Sequence, residues 1–289
     1  MATAAVLLQG AFVAFPRCFV LCCGGFHNIL YAFGVGYGLN MLWSGATTGD
    51  SSMFSSGGGD VADTTERATV CSVLMAVYGV RLATFLLRRQ ASLSYAPKMA
   101  TVQEKSGKMH LLARGGIVFF VAALQSLYTI PLRIAATLPE EAEGRLLGPM
   151  SLVNPPTWLP LFSALVAATG LVLQTVADEQ KMRYKEHAPK EPVMGGAFSL
   201  CRFPAYTGEI MFHCGVFGLC IPWSSGGASG ESAAVAAQVL LAAIPTGFMS
   251  WVMVGAAKRL DTDQGERYSK HEPYLKWRSS TSALWPKLW

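Results

Sequence analysis

The chain contains about seven runs of mostly apolar residues, at roughly 3–23, 26–46, 68–87, 115–136, 157–177, 207–223 and 233–256. Each approaches the ~20 residues that an α-helix needs to cross a hydrocarbon core of ~30 Å. No water reaches the backbone in lipid, so such runs fold as helices whose peptide groups are satisfied internally. Together they occupy about half of the 289 residues, which leaves no room for a large soluble domain. The expected fold class is all-α: a polytopic membrane protein with about seven transmembrane helices in one bundle, residues 1–289 forming a single domain. Charged residues make up only 14% of the chain, against about a quarter in typical soluble domains.

Charge placement gives the bundle a polarity. Arg88, Arg89, Lys98, Lys105, Lys108 and Arg114 fall in 87–114 against the single acid Glu104, and further basic residues crowd 178–206 and the tail 257–289. The loops between are acidic, with Asp50, Asp60 and Asp63 in one and Glu140, Glu141 and Glu143 in another. Alternation of this kind puts 87–114, 178–206 and the tail on the non-translocated side, opposite 137–156. The Gly/Ser-rich segment 44–63 reads as a flexible loop. The charged, aromatic tail 257–289 is expected to pack against the basic face of the bundle, tryptophans at the interface. Membrane lipids are the expected partners, and nucleic acid is not. The N-terminus lacks a basic n-region, so the membrane, whether an organelle's or the endoplasmic reticulum's, stays open.

Seven cysteines lie mostly in or beside apolar runs, with no C-x-x-C pair and no zinc spacing, so no metal site is expected. No Walker sequence, histidine box or G-x-G-x-x-G after a strand occurs. Two places inside apolar runs do carry chemistry. Arg81 lies within 68–87 with Tyr78 three residues earlier on the same helix face. An intramembrane arginine points to a functional site, with snorkelling toward the interface as the structural alternative. A phenol beside a guanidinium can polarise a substrate carbonyl. Glu209 and His213, four apart, also share a face. They suit a proton relay, or simply a structural hydrogen bond.

Five ordered segments extend the pattern: Tyr78-Gly-Val-Arg-Leu82, Phe119-Phe-Val-Ala-Ala-Leu-Gln-Ser-Leu127, Val176-Ala-Asp-Glu-Gln-Lys-Met-Arg-Tyr-Lys185, Arg202-Phe-Pro-Ala-Tyr-Thr-Gly-Glu209 and Tyr274-Leu-Lys-Trp-Arg-Ser-Ser-Thr-Ser-Ala-Leu-Trp-Pro286. Together they resemble the steroid 5-alpha-reductase-like superfamily, in its branch known only as a domain of unknown function, with 68–289 carrying most of the resemblance. That resemblance implies a bundle holding NADPH in a cavity open to the basic side and reducing the activated carbon–carbon double bond of a lipidic enone. Tyr78 is then the carbonyl donor. Arg81, Asp178, Arg202, Tyr206, Glu209, Tyr274, Lys276 and Arg278 are implied as cofactor-binding residues, with Glu209 orienting its neighbours.

The chain departs from the family pattern at several positions. Phe203 stands where the signature has His, Ala205 where it has Asn, and Ser280 where the tail has Arg. Leu30 replaces an acid ahead of Phe33-Gly-Val-Gly-Tyr37, and no Asp or Glu precedes Asp50. These departures keep two other readings open. One is a catalytically degenerate accessory subunit of a larger membrane complex, with Arg202 paired to Glu209 or another carboxylate and apolar groups in the former cofactor space. The other is a methyltransferase of the isoprenylcysteine type.

Overall fold

The computed structural model describes residues 2–26, 29–48, 66–137, 155–221 and 231–286. The acidic loop residues, most of the Gly/Ser-rich segment and the last three residues lie outside them, so the expected flexibility of that segment and the side on which 138–154 lies are not described. Among the described residues every regular element is helical. In chain order these are α1 (Ala2–Cys22), α2 (Ile29–Phe33), α3 (Val35–Thr48), α4 (Glu66–Ala91), α5 (Ala96–Lys108), α6 (Leu111–Leu127), α7 (Thr129–Thr137), α8 (Pro155–His187), α9 (Pro204–Leu219), α10 (Glu231–Arg267) and α11 (Glu272–Ser280).

Five stretches are long and apolar enough to cross a membrane: Leu7–Phe26, Glu66–Ala91, Leu111–Ala136, Trp158–His187 and Ala236–Arg267. The other two expected spans form shorter helices. The run 26–46 divides at Gly34 into α2 and α3, and α3 has 14 residues. The run 207–223 becomes α9, with 16 residues. At 1.5 Å per residue these two reach only about 21 and 24 Å, short of the core thickness. Each lies instead in a close antiparallel pair with a long helix. The 26-residue stretch Leu111–Ala136 is itself broken at Tyr128, where Pro131 has no N–H to continue the ladder.

Glycine explains the closeness of both pairs. Helices in lipid associate through packing rather than hydrophobic exclusion, and small residues let backbones approach. A Cβ on Gly79 of α4 would collide with the backbone of Leu42 in α3. In the α8–α9 pair, a Cβ on Gly208 would come within 2.5 Å of the Gly170 carbonyl, and the reverse substitution does the same to the Gly208 carbonyl. The main apolar core lies where these pairs meet α7, around Met41, Met75, Ile130, Leu132, Ile134, Phe212 and Leu219. The outer faces expose Phe12, Phe120, Leu165, Val172, Leu240 and Trp251. Such a surface suits lipid rather than water.

The basic end of the bundle gathers the C-terminal halves of α4 and α8, the start of α9 and the tail. Arg88 pairs with Glu179 at 3.1 Å across α4 and α8, and the Arg202 backbone N–H donates to the Ser282 carbonyl at 2.8 Å. Helix α11 is capped by His271, whose imidazole accepts from the Tyr274 N–H, with Pro273 in its first turn.

Candidate functional site

Near the middle of α4, Tyr78 is fully buried. Its hydroxyl donates to Oε1 of Glu209, in the second turn of α9, and Gln174 Nε2 of α8 donates to Oε2 of the same carboxylate. Both oxygens of Glu209 therefore have donors, which is how a carboxylate is kept 5% exposed in this interior. His213 Nε2 lies 3.4 Å from Glu209 Oε1 and 3.0 Å from the Tyr37 hydroxyl of α3. The Tyr78 ring stacks on Phe212 at 4.3 Å, and Tyr37 and Tyr128 close round the His213 ring. Tyr128 donates its hydroxyl to the Pro245 carbonyl of α10 at 2.8 Å. The expected shared face of Glu209 and His213 is thus realised, inside a five-helix polar cluster.

A basic layer lies one helical turn away. Arg81 Nη2 meets Asp178 at 2.5 Å and donates to the Gln174 carbonyl at 2.9 Å. Gln174 joins the two layers, accepting from Arg81 through its backbone and donating to Glu209 through its side chain. Arg81 Nη1 is buried without a hydrogen-bond partner, as is Arg89 Nε. Arg89 rests on the Phe85 and Tyr95 rings, at 5.4 and 4.8 Å. Tyr206 lies in the first turn of α9, four residues after Arg202 and one turn before Glu209, so it stands between the deep cluster and the basic end.

The remaining expected residues form a third group. Arg202 Nε pairs with Asp261 at 2.8 Å, and its Nη1 donates to the carbonyls of Arg278 and Thr281. Arg278 shares Asp261 at 3.0 Å, and that hydrogen bond holds its guanidinium above the ordinary arginine value. Tyr274 is buried between Tyr268 and Trp277, its hydroxyl without a partner; burial pushes its phenol up. Lys276 is exposed.

The structure therefore brings Tyr78 and Glu209 together, Arg81 and Asp178 together beside them, and Arg202 with Arg278 through Asp261. Lys276 stands apart on the surface. Where the family pattern has polar residues, Phe203 is buried and stacks on Tyr206 at 6.1 Å, and Ala205 packs among Ala177, Val193, Phe198 and Trp277. Ser280 is exposed, and the side chain of Leu30 lies outside the description. Gln174, Tyr37, Tyr128 and Asp261 were not among the expected residues. Gln174 carried a usable signal, as the one amide in the run 157–177. Among the described residues no group of three His, Cys, Asp or Glu side chains is placed to hold a metal ion.

Residues 39–281 match the family described as Protein of unknown function (DUF1295). In comparisons with curated proteins and with solved structures, nothing matches. The matched segment takes in α4 to α11 and all three layers except Tyr37 and the tail from Ser282 on. Spanning well over half of the 289 residues, it makes this chain a membrane-type helical member of the DUF1295 family.

Proposed function

We propose that the protein is an NADPH-dependent reductase of an activated carbon–carbon double bond in a lipidic enone. The observation that carries this reading is the buried Tyr78–Glu209–Gln174 cluster, linked through Gln174 to Arg81, whose Nη1 is buried and unmatched. Ionisable groups at this depth are rare and mark a functional site by default. The cofactor is implied by family resemblance, and the chain's own groups suit it in part. Arg81 Nη1, Arg89 Nε and Tyr274 Oη are buried polar atoms lacking partners, and guanidinium forks match phosphates as well as carboxylates.

Bound there, NADPH would supply the hydride for the β-carbon of the enone, and water the proton that completes the α-carbon. The protein's part is to handle the negative charge that develops on the carbonyl oxygen. Tyr78 holds one hydroxyl proton, directed at Glu209 Oε1. A carbonyl arriving beside the phenol takes over that donor, while Gln174 keeps Glu209 in place. Phe212, stacked on the Tyr78 ring, fixes its plane and helps exclude water. Arg81 and Tyr206 would face the cofactor from the basic end.

The test is to incubate solubilised protein with NADPH and sterol- or prenyl-type enones and look by mass spectrometry for a product two hydrogens heavier. Tyr78→Phe should lower product formation by about 10²–10⁴-fold. Equal turnover by wild type and Tyr78→Phe counts against the assignment of Tyr78.

A second reading, an accessory subunit of a larger membrane complex, is favoured by Phe203. That side chain stacks on Tyr206 where the family pattern has His, and the Arg202 guanidinium is engaged by Asp261 and two tail carbonyls. It predicts stoichiometric co-purification with other subunits and no NADPH oxidation with any enone.

A further inference from the structure

The seam between α4 and α9 that joins Tyr78 to Glu209 also brings two thiols together. Cys71 lies about two turns before Tyr78 on α4, and Cys220 about three turns after Glu209 at the end of α9. The two helices run in opposite directions, so both cysteines sit at the end of the bundle away from Arg88 and Arg202. Their side chains meet as hydrogen-bonding partners. Arg67 places the same contact independently. It stands one turn before Cys71 on the same face of α4, and its Nη1 donates to the carbonyl of Ile221, the residue after Cys220, at 3.5 Å. Cys220 Sγ itself donates to the Val216 carbonyl at 3.0 Å.

Both cysteines are reduced. Cys71 is 0% and Cys220 2% exposed, within the apolar core that holds Met75, Phe212, Val216 and Leu219. A single buried thiol packs like any small apolar side chain. Two that touch from facing helices offer a covalent bond that alanine or valine could not. Each is close to the end of its own helix, where local opening costs least.

We infer that Cys71 and Cys220 are a disulfide-forming pair, a modification site at which oxidation staples α4 to α9. The oxidant is a low-molecular-weight disulfide of the glutathione type. A buried thiol is a poor nucleophile, so exchange begins when the last turn of α9 opens. The Cys220 thiolate attacks one sulfur of the oxidant and expels a thiolate, leaving a mixed disulfide. The Cys71 thiolate then attacks the Cys220 sulfur, forms the Cys71–Cys220 bond and expels the second thiolate. The two protons from the cysteines end on the two expelled thiolates, and the two electrons given up by the cysteines reduce the oxidant. Once α9 closes, the bond is sealed in the core, and the register of the seam that carries Tyr78 and Glu209 is fixed covalently.

The test treats the detergent-solubilised full chain with oxidised glutathione, blocks remaining thiols and maps the digested protein by mass spectrometry. The expected product is a Cys71 peptide joined to a Cys220 peptide, with two hydrogens lost. Thermal unfolding should move up by about 5 °C or more, and dithiothreitol should reverse the shift. Cys71→Ala and Cys220→Ala should each abolish the shift, while Cys214→Ala leaves it in place. The peptide map of wild type decides the matter alone if the Ala variants do not fold. The proposal is overturned if the folded protein yields no Cys71–Cys220 link, if the link forms only after denaturation, or if either cysteine pairs with another instead. Neither readout involves NADPH or an enone, so failure here leaves the reductase reading untouched.

Discussion

Replacing Glu209 by Leu tests whether the deep cluster is held as its geometry says. The substitution removes the acceptor shared by the Tyr78 hydroxyl and the Gln174 amide, and both donors remain buried. A stranded buried donor costs about 1–3 kcal/mol, so two would cost roughly 2–6 kcal/mol. Hydrogen bonds within membranes measure nearer ~0.6–2 kcal/mol because the unfolded chain also finds partners. We therefore expect a loss of about 2–4 kcal/mol for Glu209→Leu. Adding Tyr78→Phe and Gln174→Leu removes the stranded donors, and the latter also removes Gln174 Oε1, which has no partner even in the native protein. The triple variant should return to within about 1.5 kcal/mol of wild type, since replacing all partners by apolar groups of like shape is nearly neutral. Reversible unfolding in mixed micelles, followed by circular dichroism, gives these values. A single variant as stable as wild type, or a triple variant no better than the single one, would refute the reasoning.

Other consequences can be checked separately. Gly208→Val places a side chain against the Gly170 carbonyl, so the α8–α9 pair should separate and size-exclusion chromatography should show little monodisperse protein. Arg202→Ala leaves Asp261 with Arg278 alone and removes two hydrogen bonds to tail carbonyls. Trypsin should then cut within 257–286 at least tenfold faster, and Arg202→Lys should rescue this only in part. Cys214 is exposed while Cys201 and Cys220 are buried, so a membrane-permeant maleimide should label Cys214 before either of those two in the folded protein.

The helical class and most apolar runs were legible because helices in lipid leave long, nearly uncharged stretches in the sequence. The division of 26–46 was less visible: Gly34 and Gly36 look alike in sequence, but only the fold shows that Gly36 faces the Leu21 carbonyl. Tyr78 and Arg81 could be paired in advance from their spacing, and so could Glu209 and His213. That these two pairs converge depends on α4, α8 and α9 meeting, a tertiary fact with no local signal. Asp178 was drawn in by resemblance, and its role as the counter-ion of Arg81 follows only from the α4–α8 contact. The expectation that Arg202 would find a carboxylate holds, and the carboxylate is Asp261, 59 residues away on α10. Nothing in the residues around Asp261 distinguishes it from Asp263.

The most direct measurement of the central claim is a fluorescence titration of NADPH into detergent-solubilised full-length protein. The account predicts saturable binding, weakened at least tenfold by Arg81→Ala through loss of a charged hydrogen-bonding partner worth about 1.5–3 kcal/mol, and little changed by Tyr78→Phe. An absence of binding at millimolar NADPH, or binding indifferent to Arg81, would contradict it.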